Sequence, residues 1–438
     1  MQTIFVQIAS YRDPELLPTI KDCIAKATNP ENLRFGICWQ HSKDDSWDTL
    51  DDYLNDPRFT IMDVPWNESK GLGWARSHTQ KLWKGETFTL QIDSHHRFIK
   101  GWDTELITMM VQTGSPKPIL TSYAVPYTPG EELTENGPYK MVGTTFSNYG
   151  TILFYPHPIT EYKTLTKPIP ARFVSGHFFF TIGKHCVEYK YDPEIYFAGD
   201  EISLSIRSFT LGYDLFHPHK VIVWHEYIRS KNKKHWDDFD SSSKSKGKVD
   251  NAWHELDDIS KKRLRQMLRE ENNNLNLGVY TLGNTRTHHE YELYAGICFK
   301  LRKLHPNTIN GSNPPIHEPI TQWLSGNQSY SLPLSVPNDL GSGSFTIEIY
   351  SKEGNMLHQQ HITQHSPIIT MDFSSNEIPY KWTCGSVNKK EFILGETLES
   401  LWEKYSTSIK QVEVKQCPID YIYSSQNECI SLQSTLFL

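Results

Sequence analysis

Continuous apolar runs alternate with amphipathic segments along the first quarter of the chain. The apolar runs predict buried strands at residues 3–9, 35–39, 59–64 and 87–92. The amphipathic segments, with apolar residues three and four positions apart, predict helices at residues 16–27, 47–54, 71–83 and 102–111. Strands that alternate with helices at this spacing form right-handed crossovers and a mainly parallel sheet covered on both faces. The fold class that we expect is therefore α/β.

Farther along, strand-like patterns dominate, with one helix predicted at residues 200–211. The segment 229–248 holds seven Lys or Arg and five Ser, a composition that indicates a mobile, solvated loop. The proline-rich residues 305–319 lack apolar periodicity, which predicts a linker. Alternating patterns then predict a small antiparallel, β-rich domain at residues 320–438. The α/β domain is accordingly expected at residues 1–304, and the β-rich domain carries no recognisable chemistry.

Charge and composition exclude several classes of protein. Lys and Arg total 44 and Asp and Glu total 51, and the resulting net charge of −7 argues against a nucleic-acid partner. No apolar run approaches the roughly 18 residues of a membrane span, so we expect no membrane contact. Seven scattered cysteines without a CxxC pair are typical of free thiols in a reducing compartment. Since the sequence opens on a strand-like segment without a signal-peptide pattern, we expect a cytoplasmic protein.

The segment FTLQIDSHHRF places an acid and a histidine where an apolar strand leaves the predicted sheet. Asp93 and His95 are two residues apart, so that both side chains point the same way in an extended backbone. A carboxylate with an imidazole suits Mn²⁺ or another borderline divalent ion, with water or phosphate oxygens at the remaining positions. An Asp-Ser turn followed by solvated histidines is the alternative explanation.

Another histidine ends a second apolar strand. The run VIVW predicts a buried strand at residues 221–224, and His225 follows it directly. His225 is a candidate third metal ligand, because it leaves a separate strand just before the basic segment. A histidine that is hydrogen-bonded to backbone at a sheet edge explains the residue equally well.

Several segments together resemble one enzyme family. They are similar to the GlcNAc-transferase family typified by the cytoplasmic enzyme that glycosylates hydroxyproline on a ubiquitin-ligase subunit. The resemblance covers about residues 3–300, and its motifs Ser-Tyr-Arg-Asp, Trp-Ala-Arg and Asp-Ser-His occur in order. The segments are SYRDPELLPTIKDC, SKGLGWARSHTQKLWKGETFTLQIDSHHRFIKGWD, VSGHFFF, FAGDEISLSIRSFTLGYDLFHP, WHEYIRS and LGNTRTHHEYELYAGI.

The resemblance implies a GT-A fold for residues 1–304, a UDP-sugar donor and a divalent metal, Mn²⁺ or Mg²⁺. It also implies transfer to a hydroxyl with retention at the anomeric carbon. The family has Asp-Ser-His in place of the Asp-x-Asp of most GT-A enzymes, and this motif falls on Asp93, Ser94 and His95. We expect Asp93 and Ser94 to contact the UDP-sugar as well. As in mucin-type GalNAc-transferases, which the family resembles, a later histidine completes the metal site, and His225 occupies that place.

Asp200 and Glu201 begin the predicted helix and are the candidate catalytic carboxylates. A carboxylate near the sugar C1 can stabilise developing positive charge without attacking the carbon. The helix macrodipole also favours acids at this place, but it does not explain the preceding Gly199. The family usually has Gly-Glu-Glu here, so Asp200 is one methylene shorter than the usual residue.

Two arginines and a Gly-His pair are candidate substrate-binding residues. Arg12 follows the first strand, where a GT-A enzyme holds the base and ribose, although the adjacent Asp13-Pro14 is typical of a helix start. The guanidinium of Arg76, within a predicted helix, suits either a phosphate or a structural carboxylate. Gly176 and His177 lie where the family has Gly followed by an aromatic or apolar residue. His177 departs from that pattern and is a candidate contact for a different acceptor.

These observations favour a metal-dependent retaining glycosyltransferase that moves GlcNAc from UDP-GlcNAc onto a protein or glycan hydroxyl. The same fold with UDP-Gal or UDP-Glc, acting on a glycan or a modified nucleobase, is the alternative. A catalytically silent module that binds sugar nucleotides is a third possibility, and the joint presence of Asp93, His95 and His225 argues against it. A metallohydrolase is disfavoured because Asp-x-His lacks the clustered further ligands of hydrolytic metal sites.

Overall fold

A computed structural model of the chain divides into two compact units, Met1–His317 and Glu318–Leu438. In the first unit the structure describes residues 2–317 except 135, 148, 149, 230, 231 and 272. In the second unit it describes residues 328–336, 344–393 without 353, 364, 365, 376, 378 and 386–389, and then 421–423 and 429–431.

Strands and helices of the first unit alternate up to about residue 120, and a run of strands and then a run of helices follow. The strands are β1 (Ile4–Tyr11), β2 (Leu33–His41), β3 (Phe59–Pro65), β4 (Phe88–Ile92), β5 (His96–Phe98), β6 (Pro118–Thr121), β7 (Val125–Pro126), β8 (Tyr139–Phe146), β9 (Ile152–Pro158), β10 (Ile169–Pro170), β11 (Phe178–Ile182), β12 (Asp214–His217), β13 (Val223–His225), β14 (Ile297–Cys298) and β15 (Lys303–Leu304). The helices are α1 (Leu16–Lys26), α2 (Leu72–Gln80), α3 (Trp102–Gln112), α4 (His185–Glu188), α5 (Asp200–Thr210), α6 (His235–Asp238), α7 (Ser241–Ser245), α8 (Trp253–Met267), α9 (His288–Ala295) and α10 (Pro306–Ile309). Within the described residues, no helix combines the length and hydropathy that crossing a bilayer requires.

Eight strands form one mixed sheet in the order β10-β12-β6-β11-β4-β1-β2-β3. β1 pairs in parallel with β2 and with β4, and β2 pairs in parallel with β3. β11 runs antiparallel to both of its neighbours, β4 and β6. The beginning of β11 therefore meets the carboxyl ends of β4 and β6 at one edge of the sheet.

Apolar runs in the central strands explain why both faces of the sheet are buried. Phe178, Phe179 and Phe180 of β11 are all buried, and they belong to different core clusters because successive side chains point to opposite faces. On one face, Trp102 at the start of α3 is fully buried and donates from Nε1 to the Cys23 carbonyl of α1 at 2.9 Å. Helices on the sheet thus fix the strand ends that carry polar residues.

The predicted fold class, an α/β domain followed by a β-rich C-terminal region, is confirmed. The four strands predicted in the first quarter coincide with β1–β4 to within two residues at each end. The main sheet is more mixed than predicted, because β10 and β11 are antiparallel to their neighbours. The helix predicted at residues 47–54 is wrong, since only Asp51–Tyr53 form a 3₁₀ turn there.

The segment 229–248 is not the irregular loop that its composition predicted. Among its described residues are α6 and α7, and Phe239 between them is buried with 2% exposure. The carboxylate of Asp240 caps α7 by accepting from the Ser243 N–H at 2.6 Å. One buried aromatic and a helix cap therefore override the polar composition.

Residues 305–317, predicted as part of a linker, belong to the first unit. They contain α10, in which Thr308 is buried and donates to the Ala295 carbonyl at 2.6 Å. The second unit consists of strands in its described residues, and all their pairings are antiparallel, as predicted. These strands are β16 (Gln328–Ser335), β17 (Phe345–Ser351), β18 (Met356–Ile362), β19 (Ile368–Ser375), β20 (Pro379–Gly385), β21 (Lys390–Ile393), β22 (Tyr421–Tyr423) and β23 (Cys429–Ser431).

Candidate active site

Polar residues from four segments meet at one edge of the main sheet. β1 and β4 are neighbours, so the residues that follow them, Asp13 and Asp93, leave the sheet side by side. β11 begins at the same edge, and the Asp93 N–H donates to the His177 carbonyl at 3.3 Å. β13 ends there too, because its pairing with β5 places His225 opposite His96.

Asp93, His95 and His225 form a group whose ligand atoms all lie within 4.8 Å of one another. Oδ2 of Asp93 lies 3.8 Å from Nε2 of His95 and 3.6 Å from Nε2 of His225, too far for hydrogen bonds. Donor atoms bound to one ion at about 2.1 Å lie roughly 3.0–4.2 Å apart. The three side chains are therefore placed to bind one divalent ion with little movement.

His225 provides a second test of whether these residues fit a metal. Both of its ring nitrogens are buried and have no hydrogen-bond partner among the described residues, which is costly for a side chain without a ligand. Burial and the neighbouring His177 hold the pKa of His225 well below its usual range, so the ring is neutral, as a metal ligand must be. One carboxylate with two imidazoles fits a borderline ion such as Mn²⁺.

The Asp93 carboxylate is ionised in spite of its surroundings. Burial acts to raise the pKa of Asp93, but contacts with His225 and the charge of Arg76 outweigh it and hold the pKa well below the usual range. An ionised carboxylate is what a divalent ion requires of this ligand.

Asp13 binds the imidazole of His95 through Nδ1, the ring nitrogen opposite the one that faces Asp93. Its Oδ2 accepts from Nδ1 of His95 at 2.8 Å, from the Ser94 hydroxyl at 2.5 Å and from Nη2 of Arg229 at 2.9 Å. Burial acts to raise the pKa of Asp13, but His95, Arg229 and Ser94 together lower it to about 2. With its proton held on Nδ1, His95 presents Nε2 to a metal.

Another histidine packs against His225. The ring centroids of His177 and His225 are 4.3 Å apart in a stacked arrangement, and Tyr227 contacts His225 edge-on, also at 4.3 Å. The Ala124 N–H donates to Nε2 of His177 at 3.1 Å, and Nδ1 lies 3.0 Å from the Ser175 hydroxyl. Burial lowers the pKa of His177 to about 4. Both ring nitrogens are engaged within the protein, so the acceptor contact proposed for His177 stays a prediction.

The guanidinium of Arg76 is buried, with 3% of the residue exposed. Nη1 donates to Oδ2 of Asp200, and Nη2 donates to Oδ1 of Asp93 at 3.0 Å and to the Gly176 carbonyl at 2.6 Å. The sequence suggested either a phosphate or a structural carboxylate as the partner of Arg76, and in the structure its partners include the carboxylates of Asp93 and Asp200. Arg76 fixes Asp93 through one oxygen and leaves the other facing the histidines, and its contact with a donor stays a prediction.

The two candidate catalytic carboxylates at the start of α5 have different surroundings. Asp200 is buried against Arg76, whereas Glu201 accepts from uncharged donors. Oε2 of Glu201 accepts from the Tyr123 hydroxyl at 2.9 Å, and Oε1 accepts from the Gly176 N–H at 3.0 Å. Burial raises the pKa of Glu201 to about 7. Of the two candidate catalytic carboxyl groups, Glu201 is therefore the one whose pKa is raised close to neutral pH.

Two glycines allow this close arrangement. A Cβ at Gly176 would lie 2.9 Å from both Nη1 of Arg76 and Oδ2 of Asp200, so that a larger residue would collide with the ion pair. Gly199 precedes α5 with φ at +90°, and a Cβ there would lie 2.2 Å from Cδ2 of Leu264. This backbone conformation and packing explain the glycine that the helix macrodipole left unexplained.

Arg12 lies at the end of β1, outside this group. Its Nε and Nη2 donate to the two oxygens of Asp45 at 2.6 and 3.0 Å, and its Nη1 donates to Oδ2 of Asp238 at 2.9 Å. The Tyr11 hydroxyl donates to the same oxygen at 2.9 Å. Asp238 belongs to α6, so these contacts fasten the segment 229–248 to the end of β1. A contact of Arg12 with the base or ribose stays a prediction.

The family model described as glycosyltransferase (GlcNAc) matches residues 3–60 and 48–300. The matched residues span more than half of the 438 residues and include the whole site. The chain belongs to this glycosyltransferase family. Among curated proteins, none matches its sequence.

Two solved structures are similar to this member of the glycosyltransferase (GlcNAc) family. The crystal structure of GalNAc-T7 with UDP, GalNAc and Mn²⁺ is 16% identical with a TM-score of 0.44, and the match covers 66% of this chain and 56% of that one. The crystal structure of S. aureus TarS 1–349 in complex with UDP-GlcNAc is 12% identical with a TM-score of 0.34, covering 61% and 73%. The chain thus spans little more than half the length of GalNAc-T7, and the family membership rests on the family model.

Most of the predicted site residues of this glycosyltransferase (GlcNAc) family member meet at the sheet edge. They are Arg76, Asp93, Ser94, His95, Gly176, His177, Asp200, Glu201 and His225. Sequence reasoning missed Asp13, Tyr123 and Tyr227. Asp13 and Tyr227 each had a signal, because they lie in the Ser-Tyr-Arg-Asp motif and in the segment WHEYIRS. Tyr123 follows β6 without a motif, and only the sheet order brings it here.

Proposed function

We propose that the chain is a metal-dependent retaining glycosyltransferase that transfers GlcNAc from UDP-GlcNAc to a hydroxyl of a protein or glycan. The observation that carries the proposal is the convergence of Asp93, His95 and His225 beside Glu201 at the sheet edge. A nucleotide-sugar transferase needs positive charge for the leaving diphosphate and negative charge near the sugar carbon. The first requirement is supported by the three ligand side chains and the second by Glu201.

Asp93, His95 and His225 are the residues that would hold Mn²⁺ or Mg²⁺. An ion bound there would supply the positive charge that a departing UDP requires. Arg76 fixes one oxygen of Asp93, and Asp13 fixes His95, so the ligand atoms are oriented before the donor binds. We assign Ser94 to the same donor-side turn, where its hydroxyl supports Asp13.

Glu201 is the carboxylate that we assign to the sugar. Positive charge develops at C1 as the bond to UDP breaks, and a fixed carboxylate stabilises that charge without forming a bond. The Tyr123 hydroxyl and the Gly176 N–H hold both of its oxygens. We assign Asp200 an indirect role, because it forms an ion pair with Arg76 and so balances the charge of the guanidinium. Retention follows if the acceptor hydroxyl approaches the face of the sugar that UDP leaves.

We choose GlcNAc as the transferred sugar because the chain belongs to the glycosyltransferase (GlcNAc) family. Transfer of Gal or Glc from the corresponding UDP-sugar is the alternative. A silent module that only binds sugar nucleotides is disfavoured by the raised pKa of Glu201, because donor binding alone does not require a carboxyl group with a pKa near neutral pH.

We further propose a cytoplasmic enzyme with a protein or glycan acceptor. Four cysteines among the described residues, Cys23, Cys38, Cys186 and Cys298, are buried and form no disulfide, which suits a reducing compartment. The net charge of −7 argues against a nucleic-acid acceptor. The resemblance to the hydroxyproline-modifying enzyme makes a hydroxylated protein the first acceptor to try.

The experiment that tests this function is UDP release from a panel of donors. The purified full chain is incubated with UDP-GlcNAc, UDP-GalNAc, UDP-Gal or UDP-Glc and Mn²⁺, with and without EDTA. We expect release from UDP-GlcNAc that EDTA abolishes. Release from another donor would keep the class and change the sugar. Donor binding by thermal shift without release, in the presence of protein and glycan acceptors, would favour the silent module.

A further inference from the structure

We propose that Asp13 is a positioning residue of the metal site, which fixes the ring of His95 and links it to the chain segment that bears His225. The inference rests on the proposed function, because it concerns the same metal ligands. Asp13 is not one of the three candidate ligands, and it acts through its contacts with His95 and Arg229.

The contacts of Asp13 exceed what a helix start requires. Its Oδ1 accepts from the Glu15 N–H at 3.0 Å, and this single hydrogen bond is the usual contact of an acid that precedes a helix. Its Oδ2 receives the other three donors, from Ser94, His95 and Arg229. The side chain is 1% exposed, so that an ionised group is retained there without water. Such burial is costly unless every lone pair is used, and here each oxygen is hydrogen-bonded.

Asp13 joins the two segments that carry the histidine ligands. His95 ends the turn after β4, and Arg229 lies four residues beyond His225 at the end of β13. A backbone hydrogen bond from the Glu226 N–H to the His95 carbonyl, at 3.1 Å, holds the same two segments together. The carboxylate therefore sets both the rotation of the His95 ring and the approach of the second segment.

The expected consequence is a change in metal affinity. A carboxylate that accepts from the non-ligating nitrogen of a histidine fixes the tautomer and raises the basicity of the ligating nitrogen. Loss of such a partner typically weakens metal binding by about 10–100-fold. Asp13→Asn keeps the size of the side chain but removes the negative charge, so His95 loses its carboxylate acceptor while the turn after β1 keeps its shape.

The test is a titration of the full chain with Mn²⁺ in the presence of UDP, in which free Mn²⁺ is measured by EPR. Asp103→Asn is the matched control, because Asp103 is equally buried and accepts from the Thr28 and Asn29 N–H groups at 2.8 and 2.9 Å. We expect the Mn²⁺ Kd of Asp13→Asn to rise about 10–100-fold and that of Asp103→Asn to change less than about 3-fold. Melting temperatures in EDTA compare the folding of the two variants without metal.

Equal Mn²⁺ affinities of Asp13→Asn and the unaltered chain would overturn the inference while leaving UDP release by the unaltered chain untouched. Equal weakening by both variants would also overturn it, because the effect would then be general. If Asp13→Asn melts lower in EDTA than Asp103→Asn, Asp13→Glu replaces it, and the same thresholds apply because the charge is kept but displaced. Failure of the unaltered chain to bind Mn²⁺ would overturn both the metal assignment and this inference.

Discussion

Oδ2 of Asp93 lies 3.6 Å from Nε2 of His225, although the two residues arrive from different sheets. Asp93 follows β4 of the eight-stranded sheet, and His225 ends β13 of the three-stranded sheet β5-β13-β7. Residues 93–95 are the turn between β4 and β5, and β5 pairs with β13. The turn that bears Asp93 and His95 is therefore held by strand pairing against the strand that bears His225.

Asp93→Asn tests the central ligand. The amide keeps the volume of the side chain but lacks the negative charge that a divalent ion requires, and Arg76 keeps Asp200 as its partner. We expect UDP release with Mn²⁺ to fall at least about 100-fold, with little change in melting temperature in EDTA. Retention of most of the activity, with an unchanged melting temperature, would show that the metal assignment is wrong.

Glu201→Gln tests the titration of the buried carboxyl group. Burial raises the pKa of Glu201 to about 7 from the ordinary 4.5, so the folded protein keeps a proton that the unfolded chain releases between these values. The stability that this proton contributes is complete below pH 4.5 and is lost as the pH rises towards 7. The unaltered chain should therefore lose stability relative to Glu201→Gln over this range, and the difference should be constant above it.

The measurement is the urea midpoint of both chains at several pH values from 4.5 to 8. In parallel, the pH profile of UDP release should show a step near pH 7 in the unaltered chain. Parallel stability curves across the whole range would mean that Glu201 titrates at its ordinary pKa.

Gly199→Ala tests how α5 is positioned. The backbone at Gly199 has φ at +90°, and an added Cβ would lie 2.2 Å from Cδ2 of Leu264. Gly85 is the matched control, because its φ is +102° and nothing lies within 4 Å of a Cβ added there. Gly85→Ala should cost about 1–2 kcal/mol of backbone strain, and Gly199→Ala about 1–3 kcal/mol more from overpacking. Equal urea midpoints for the two variants would contradict the packing argument.

Asp238→Asn tests the attachment of the segment 229–248. Oδ2 of Asp238 accepts from the Tyr11 hydroxyl and from Nη1 of Arg12, both at 2.9 Å, and hydrogen bonds to a charged group contribute about 1.5–3 kcal/mol. We expect trypsin to cleave after the lysines of this segment faster in Asp238→Asn than in the unaltered chain. Substitution of the exposed Asp250 by Asn should leave the rate unchanged, and equal rates in both variants would show that these contacts do not hold the segment.

Local sequence patterns were sufficient to predict the first four strands and the strand ends at which the proposed metal ligands lie. Asp93 and His95 follow β4 at a spacing of two, and His225 follows an apolar run, so each was accessible from the sequence. The period of the apolar residues carries this information, because it reports which face a strand buries.

Side-chain contacts that depend on the order of strands in the sheet could not be predicted from the sequence pattern. Arg76 suited a phosphate or a carboxylate, and the sequence favoured donor binding. Only the insertion of β11 beside β4 decides that Arg76 meets Asp93 and Asp200. Tyr123 reaches Glu201 for the same reason, since β6 lies on the other side of β11. The polar composition of residues 229–248 wrongly predicted an irregular loop. The buried Phe239 and the contacts of Asp238 with Tyr11 and Arg12 order α6 and α7 there.

The most direct test of the metal centre is a crystal of the full chain grown with Mn²⁺ and UDP, measured at the manganese absorption edge. We predict one anomalous peak about 2.0–2.3 Å from Oδ2 of Asp93, Nε2 of His95 and Nε2 of His225. Bound UDP with a manganese peak elsewhere, or with none beside these three atoms, would contradict the assignment.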